Sequence, residues 1–324
     1  MNKAFNFNDK TATEVFSKLG FSLVAAALTM TIVPYVMGLF FKYVLPSLLL
    51  SKWSILVISE LPLYLVGIPL AIYITKDLPG VESKQEKISG KAFIKYFAMC
   101  YTVTIIGNRI GSLLSKVMSG GKASNPLTEY TNEPGYISIV IFCIAAPVFE
   151  ELLCRKLLID KSIRYGEKNA MLLSAVAFAL LHMNFFQFFY AFGTGLVFAY
   201  VYIRTQKLLY PILMHSFINI LGGVLSPIVF SFSSVPELIQ AYEQSNINLP
   251  LSSMVIELLI LLYCLIVLSL LFGGLILIIR RRKIIFSNVF DGLSANQFRI
   301  TFMNPGMIIF VVFCIVFFIK NLII

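Results

Sequence analysis

The stretch that decides the fold is residues 136–150, which read YISIVIFCIAAPVFE. It is almost wholly apolar from Ile137 to Phe149 and ends at two adjacent acidic residues, Glu150 and Glu151. Extended to residue 154, the run is long enough to cross the hydrocarbon core of a bilayer, which takes about 17–25 residues. Carboxylates at such a depth are unfavourable unless they have a function. The stretch therefore predicts a membrane helix that carries a functional acidic pair.

The composition of the whole chain also indicates a membrane protein. Of the 324 residues, 58% are hydrophobic and 13% are charged, against roughly 45–50% and 25% in soluble proteins. With a mean hydropathy of +0.86, the chain has too few polar residues to cover a water-soluble globule. A soluble enzyme, a nucleic-acid-binding domain and a secreted disulfide scaffold are excluded as descriptions of the whole chain. We predict an all-α, polytopic transmembrane helix bundle.

Apolar windows along the chain predict about eight or nine transmembrane helices. The first 19 residues are polar, and no small-residue cleavage site follows the first window, which favours a retained helix over a signal peptide. Only a tight turn near Met183–Asn184 separates the fifth window from the sixth. The nine windows are 20–41, 53–75, 92–115, 136–154, 169–186, 187–203, 208–231, 254–279 and 305–324.

The basic residues predict the orientation. With the N-terminus in the cytoplasm, 19 of the 26 lysines and arginines fall in cytoplasmic segments, including Arg155 in a loop after residue 154, and only four fall in the opposite loops. The loop 232–253 has no basic residue but contains Glu237 and Glu243. Basic residues are retained on the cytoplasmic side of a membrane. We therefore expect a multi-pass protein of the cell membrane with a cytoplasmic N-terminus.

Four further polar residues join the acidic pair as site candidates. His182 and His215 are the two histidines of the chain, and both lie within predicted spans. Glu151 and Arg155 are four residues apart, as are His215 and Asn219, so each pair shares one helix face. A carboxylate and a histidine can activate water as general bases, and a histidine and an asparagine can donate to a developing oxyanion. This set suits amide hydrolysis.

Three motifs in order make the chain resemble a known family. Glu150-Glu151-Leu-Leu-Cys-Arg155 fits EExxxR, Phe178-Ala-Leu-Leu-His182 fits FxxxH, and His215-Ser-Phe-Ile-Asn219 fits HxxxN. The chain resembles the CPBP family of intramembrane proteases, also called Abi or CAAX-protease-like proteins. That family includes CAAX prenyl endopeptidases and members linked to bacteriocin processing and self-immunity. The resemblance covers about residues 136–222.

The resemblance implies a role for each motif residue. Glu150 and His182 would activate the attacking water, His215 and Asn219 would form the oxyanion site, and Glu151 and Arg155 would support them. It also implies a CAAX-protease-like core at 136–231, flanked by a cytoplasmic segment 1–19 and by transmembrane helices at 20–135 and 232–324.

The need for a metal is left open by the sequence. We favour catalysis without a cofactor, but Glu150, His182 and His215 could supply three ligands to zinc or another divalent metal. There is no HExxH motif.

The expected function is an intramembrane endopeptidase acting on a peptide or membrane-associated protein in the bilayer, without nucleic acid. Its site should open toward the cytoplasmic half. The alternatives are a non-catalytic scaffold or self-immunity protein of the same fold and, in third place, a proton-coupled transporter. Measured along the predicted helices, His182 lies deeper than Glu150 and His215. For Glu60, Arg109 and Glu257, an inter-helix ion pair or an interfacial position is the simplest expectation.

Overall fold

A computed structural model describes residues 9–47, 51–81, 85–128, 130, 135–231, 251–285 and 295–323. Glu237 and Glu243 lie outside these residues. The described part of the chain is helical and contains no strand. Its helices are α1 Asp9–Val44, α2 Lys52–Ile74, α3 Gly90–Met118, α4 Tyr136–Tyr165, α5 Glu167–Leu181, α6 Phe185–Thr205, α7 Leu209–Val229, α8 Leu251–Ile285, α9 Ala295–Phe302 and α10 Pro305–Ile323.

The prediction of a polytopic helical bundle with eight or nine spans is confirmed. Eight of the described helices are long and apolar enough to cross a membrane. The predicted span 169–186 corresponds to α5, which has 15 residues and is therefore about 22 Å long. Helices suit this environment because every backbone hydrogen bond is made within the segment.

Contacts between distant residues define one end of the bundle, which we call the amino end. The Lys18 ammonium near the start of α1 donates to Asp77, just after α2. This contact holds the pKa of the Asp77 carboxyl below its usual value. The backbone N–H of Glu86 donates to the carbonyl of Thr205, the last residue of α6, at 2.8 Å. The start of α1 and the ends of α2 and α6 therefore lie together.

Helix α10 runs from the amino end to the turn between α5 and α6. At its start, the N–H of Gly306 donates to Ser17 Oγ of α1 at 3.1 Å. Near its end, Asn321 Nδ2 donates to the carbonyl of Met183 at 2.9 Å, in the turn between α5 and α6. That turn, predicted near Met183–Asn184, has Met183 at φ +54°. Together α5 and α6 form a hairpin that runs away from the amino end and returns to it.

Close packing between α3 and α6 depends on two glycines. A Cβ atom on Gly107 would lie 2.5 Å from the backbone N of Tyr190, and one on Gly111 would lie 2.2 Å from the carbonyl O of Phe185. Small residues let membrane helices approach until their backbones touch. This contact fixes α6, and with it the α5–α6 hairpin, against the rest of the bundle.

The predicted end of α4 at residue 154 is wrong. The helix continues to Tyr165, and Arg155 is fully buried within it rather than lying in a cytoplasmic loop. The extension is favoured because Arg155 finds its partners inside the bundle, where an unpaired guanidinium would be strongly unfavourable.

Candidate active site

Wide π-helical turns occur beside most of the candidate residues. In α4 they span Ile141–Ala145 and Leu152–Leu157, on either side of Glu150 and Glu151. In α7 one spans Ile220–Leu225, directly after Asn219, and in α2 another spans Leu63–Gly67. Single π turns inside α-helices often mark functional sites, because the extra residue redirects the neighbouring side chains.

Glu151 is the centre of a buried polar network. Its side chain is inaccessible to solvent, and its Oε2 lies 3.0 Å from Arg155 Nε. Its other oxygen, Oε1, lies 3.1 Å from Nδ1 of His215 on α7. Because an ionised carboxylate only accepts, the His215 proton on this side is on Nδ1. One carboxylate thus fixes both the guanidinium and the imidazole.

Arg155 is enclosed by aromatic rings. Its guanidinium carbon lies 4.4 Å from the ring centre of Phe178 and 5.2 Å from that of Phe198, and Nη2 donates to the carbonyl of Gly195 at 3.4 Å. Its Nε contact with Glu151 is an ion pair rather than an aligned hydrogen bond. Cation–π contact with two rings compensates for a guanidinium that has been removed from water.

Glu150 is oriented differently from Glu151. Its side chain keeps 23% of its accessible surface, and its Oε2 lies 3.9 Å from His215 Nε2. That distance is too long for a direct hydrogen bond. Glu150 therefore stays partly accessible beside His215 while Glu151 is held inside the protein, as the i,i+4 pairing of Glu151 with Arg155 predicts.

His182 lies at the end of α5 and is linked to His215 through an aromatic ring. The Phe178 ring makes edge contacts with both imidazoles, with centroids 5.0 Å from His182 and 5.6 Å from His215. His182 Nδ1 lies 2.7 Å from the Phe178 carbonyl. Because a carbonyl only accepts, Nδ1 carries the proton and Nε2 is left with its lone pair.

The turn after His182 is held by side-chain hydrogen bonds. Asn184 Nδ2 donates to the His182 carbonyl at 2.7 Å, and Asn184 Oδ1 accepts from the N–H of Gln187 at 3.0 Å, which caps α6. Gln187 Nε2 then donates to the hydroxyl of Tyr190 at 2.9 Å. These contacts fix the position at which α5 ends and α6 begins, and hence the position of His182.

Asn219 lies one turn after His215 on the same face of α7. Its Nδ2 donates to the carbonyl of Phe142 at 2.7 Å, in the first π turn of α4. The wide turn frees this carbonyl from part of its helical bonding. One N–H of the carboxamide is thereby committed, and the second remains available to another acceptor.

The depth mismatch expected from the sequence is resolved by the true length of α4. Glu150 lies 15 residues before Tyr165, about 22 Å along the helix, and His182 lies about the same distance from Glu167. The two residues are therefore at similar depth, near the middle of the bundle. Of the six predicted site residues, Glu151, Arg155 and His215 are in direct contact, and Glu150, His182 and Asn219 border them.

The candidate metal ligands do not form a ligand set. In the part of the chain that the structure describes, no three His, Cys, Asp or Glu side chains come together as a group able to hold a metal ion. Both ring nitrogens of His215 face carboxylates, with Glu151 in hydrogen-bond contact and Glu150 3.9 Å away. Glu150, His182 and His215 therefore do not fit a three-ligand zinc site in this arrangement.

Sequence reasoning missed the contribution of α2. The Glu60 carboxylate accepts from the Tyr64 hydroxyl at 3.1 Å; of the two positions expected for Glu60, the inter-helix ion pair is not found among the described residues. The Tyr64 ring stacks on Phe149, the residue before Glu150, with centroids 4.6 Å apart. The unusual glutamate in a predicted span was the only sequence signal for this contact.

Comparisons with known proteins agree with the motifs. Residues 132–221 match a family model described as type II CAAX prenyl endopeptidase Rce1-like. The chain is also 26% identical to the membrane-embedded CAAX protease MroQ of Staphylococcus aureus (strain USA300) over 202 residues, which cover 58% of this chain and 78% of that protein. No solved structure matches.

The matched region contains α4 to most of α7, and with them all six residues predicted from the sequence. Helices α1 to α3 and α8 to α10 lie outside the family-model match. These comparisons confirm the resemblance to CAAX-protease-like proteins that the three motifs indicate.

Proposed function

We propose that the chain is an intramembrane endopeptidase that hydrolyses a peptide bond with a water molecule activated by Glu150 and His182. The observation that carries the proposal is the difference in accessibility and bonding between the two adjacent glutamates. Glu151 is inaccessible and bound on both oxygens, whereas Glu150 is partly accessible and lacks a direct hydrogen bond among the described residues.

Glu150 is suited to accept a proton from water. A general base must have a free lone pair within reach of the water, and its neighbours must hold it in place. Among the described residues, the one basic group within 4 Å of the Glu150 oxygens is His215 Nε2, at 3.9 Å, so the lone pairs of Glu150 are free to accept.

His182 supports the same step from the other side of Phe178. Its Nδ1 proton is fixed by the Phe178 carbonyl, so Nε2 is an acceptor in the neutral ring. In the proposed step Nε2 accepts a hydrogen bond from the attacking water, while Glu150 takes the proton of that water and returns it to the amine of the cleaved bond. The Asn184 contact with the His182 carbonyl keeps the ring in this position.

His215 and Asn219 are proposed to stabilise the oxyanion. His215 Nδ1–H is committed to Glu151, so Nε2 donates only when the ring is an imidazolium with Glu151 as its counter-ion. The second N–H of Asn219 supplies another donor one helical turn away. Removing one such donor typically slows acyl transfer by about 10²–10³-fold.

The substrate we propose is a peptide or a membrane-associated protein. The described relative is a CAAX protease, which makes a C-terminal CAAX segment one class to test. We also propose that the amino end of the bundle faces the cytoplasm, since the basic residues gather there, and that the substrate enters from that half. The reaction is proposed to need no metal.

The test is cleavage of internally quenched peptides by the purified protein in lipid nanodiscs. One half of the peptide set ends in a farnesylated CAAX sequence and the other half is unmodified. Glu150→Gln should lower kcat by at least 10²-fold while the melting temperature is unchanged. Glu167→Gln is the matched control, because Glu167 pairs with Arg204 at the far end of α5, and it should cleave like wild type.

Three results would contradict the proposal or part of it. Cleavage by Glu150→Gln at the wild-type rate removes Glu150 from the mechanism. Complete loss of wild-type activity in EDTA, with recovery on adding zinc, contradicts the metal-free reaction. A folded wild-type protein that binds peptides but cleaves none of them favours the non-catalytic scaffold.

A further inference from the structure

Helix α2 contributes a pair of polar side chains that approach the acidic pair from outside the matched region. Tyr64 is 3% exposed and lies in the π turn Leu63–Gly67. Its hydroxyl lies 3.1 Å from Glu60 Oε2, one helical turn earlier. A glutamate in a membrane-spanning helix is unfavourable unless a partner or a function retains it.

The Tyr64 ring is in close contact with the helix that carries Glu150. It stacks on Phe149 with an interplanar angle of 8° and a centroid separation of 4.6 Å. Offset-stacked rings at this distance attract each other beyond their burial, and they restrict rotation about both side chains. Because Phe149 directly precedes Glu150, the stack limits how α4 can rotate at the position of the proposed base.

We propose that Tyr64, anchored by Glu60, is a positioning residue for Glu150 in the peptidase reaction. The effect of Tyr64 on the reaction rate rests on the proposed function, whereas its effect on the orientation of Glu150 does not. Tyr64 touches neither the water nor the peptide in this role. It fixes the orientation of Glu150 through the Phe149 stack, and Glu60 fixes the orientation of the Tyr64 ring.

Kinetics of four variants separate the parts of this role. Tyr64→Leu removes ring and hydroxyl and should lower kcat about tenfold or more, with KM changed less than twofold. Tyr64→Phe keeps the stack and should lose less, about two- to fivefold. Glu60→Gln still accepts the hydroxyl hydrogen bond and should retain more activity than Glu60→Leu.

The matched control is Tyr202→Phe. Tyr202 is also buried and also donates to a carboxylate, Asp160 Oδ1, at 2.9 Å, but near the amino end. It should lower stability as much as Tyr64→Phe does, with kcat unchanged. Equal kcat losses in these two variants would show that loss of stability, not positioning, is measured, and would overturn the proposal.

A second readout does not depend on activity. Dicyclohexylcarbodiimide modifies carboxyl groups in apolar surroundings, and mass spectrometry gives the rate at each position. In Tyr64→Leu, Glu150 should be labelled at least threefold faster than in wild type, with the labelling rate of Asp160 unchanged. In Tyr202→Phe, the labelling rate of Glu150 should equal that of wild type. An unchanged Glu150 rate in Tyr64→Leu would refute the positioning role. If labelling changes as expected and no peptide is cleaved even by wild type, the proposed function fails while the structural link stands.

Discussion

Replacing Arg155 by methionine tests the buried network most directly. Arg155 and Glu151 have fully buried side chains and form an i,i+4 ion pair. Removing one partner of such a pair leaves a charge without compensation, which typically destabilises a protein by about 3–5 kcal/mol. At 1.4 kcal/mol per factor of ten, the unfolding equilibrium should shift by roughly two to three and a half orders of magnitude.

The same helix provides the control. Lys156 and Asp160 have the same i,i+4 spacing, but the Lys156 side chain is 53% exposed. Largely exposed pairs contribute about 0–1 kcal/mol. Lys156→Met should therefore change the unfolding free energy by no more than about 1 kcal/mol.

The assay is reversible unfolding in mixed micelles with increasing dodecyl sulfate, followed by circular dichroism. The double variant Glu151→Gln/Arg155→Met removes both charges and should recover most of the stability lost in Arg155→Met. It should remain inactive, because His215 loses its carboxylate partner. An Arg155→Met variant as stable as Lys156→Met, or a double variant less stable than the single one, would refute the reasoning.

Two further predictions follow from packing and from charge. Gly20→Ala should destabilise the bundle by about 1–3 kcal/mol, because its Cβ would lie 2.3 Å from the backbone of Gly306. Gly38→Ala is the control, because its Cβ would meet nothing within 4 Å, and it should be neutral or slightly stabilising in the same dodecyl sulfate titration. In a variant without the native cysteines, Lys207→Cys should react with a membrane-impermeant maleimide only after cells are opened, and Lys116→Cys in intact cells; the reverse pattern would invert the proposed orientation.

The sequence predicted the fold class and the pairing of Glu151 with Arg155 because both depend on local signals. Apolar windows decide that a segment is a membrane helix, and the i,i+4 spacing of Glu151 and Arg155 already places them on one face. The 3.0 Å contact between them and the different orientation of Glu150 follow from that spacing. The three motifs also give the order of the site residues along the chain, and this order indicates which helices must come together at the site.

Two features depended on tertiary contacts and could not be predicted. The end of α4 was placed too early because Arg155 looked like a topogenic charge, whereas its partners Phe178 and Phe198 lie on other helices. The Tyr64–Phe149 stack joins residues 85 positions apart, and no local sequence pattern predicts a contact between them. The π turns were also missed, since their apolar sequences resemble ordinary α-helix.

The contact between α1 and α10 has a consequence for biosynthesis. Ser17 and Gly306, which meet in the bundle, are 289 residues apart in sequence. At about 5–20 residues per second, roughly 15–60 s of translation separate their emergence from the ribosome. During that interval α1 lies in the membrane with its glycine-bearing face against lipid or the insertion machinery. The hydrogen bond from Asn321 to the turn beside His182 forms later still, so the nascent chain carries an incomplete site until α10 docks.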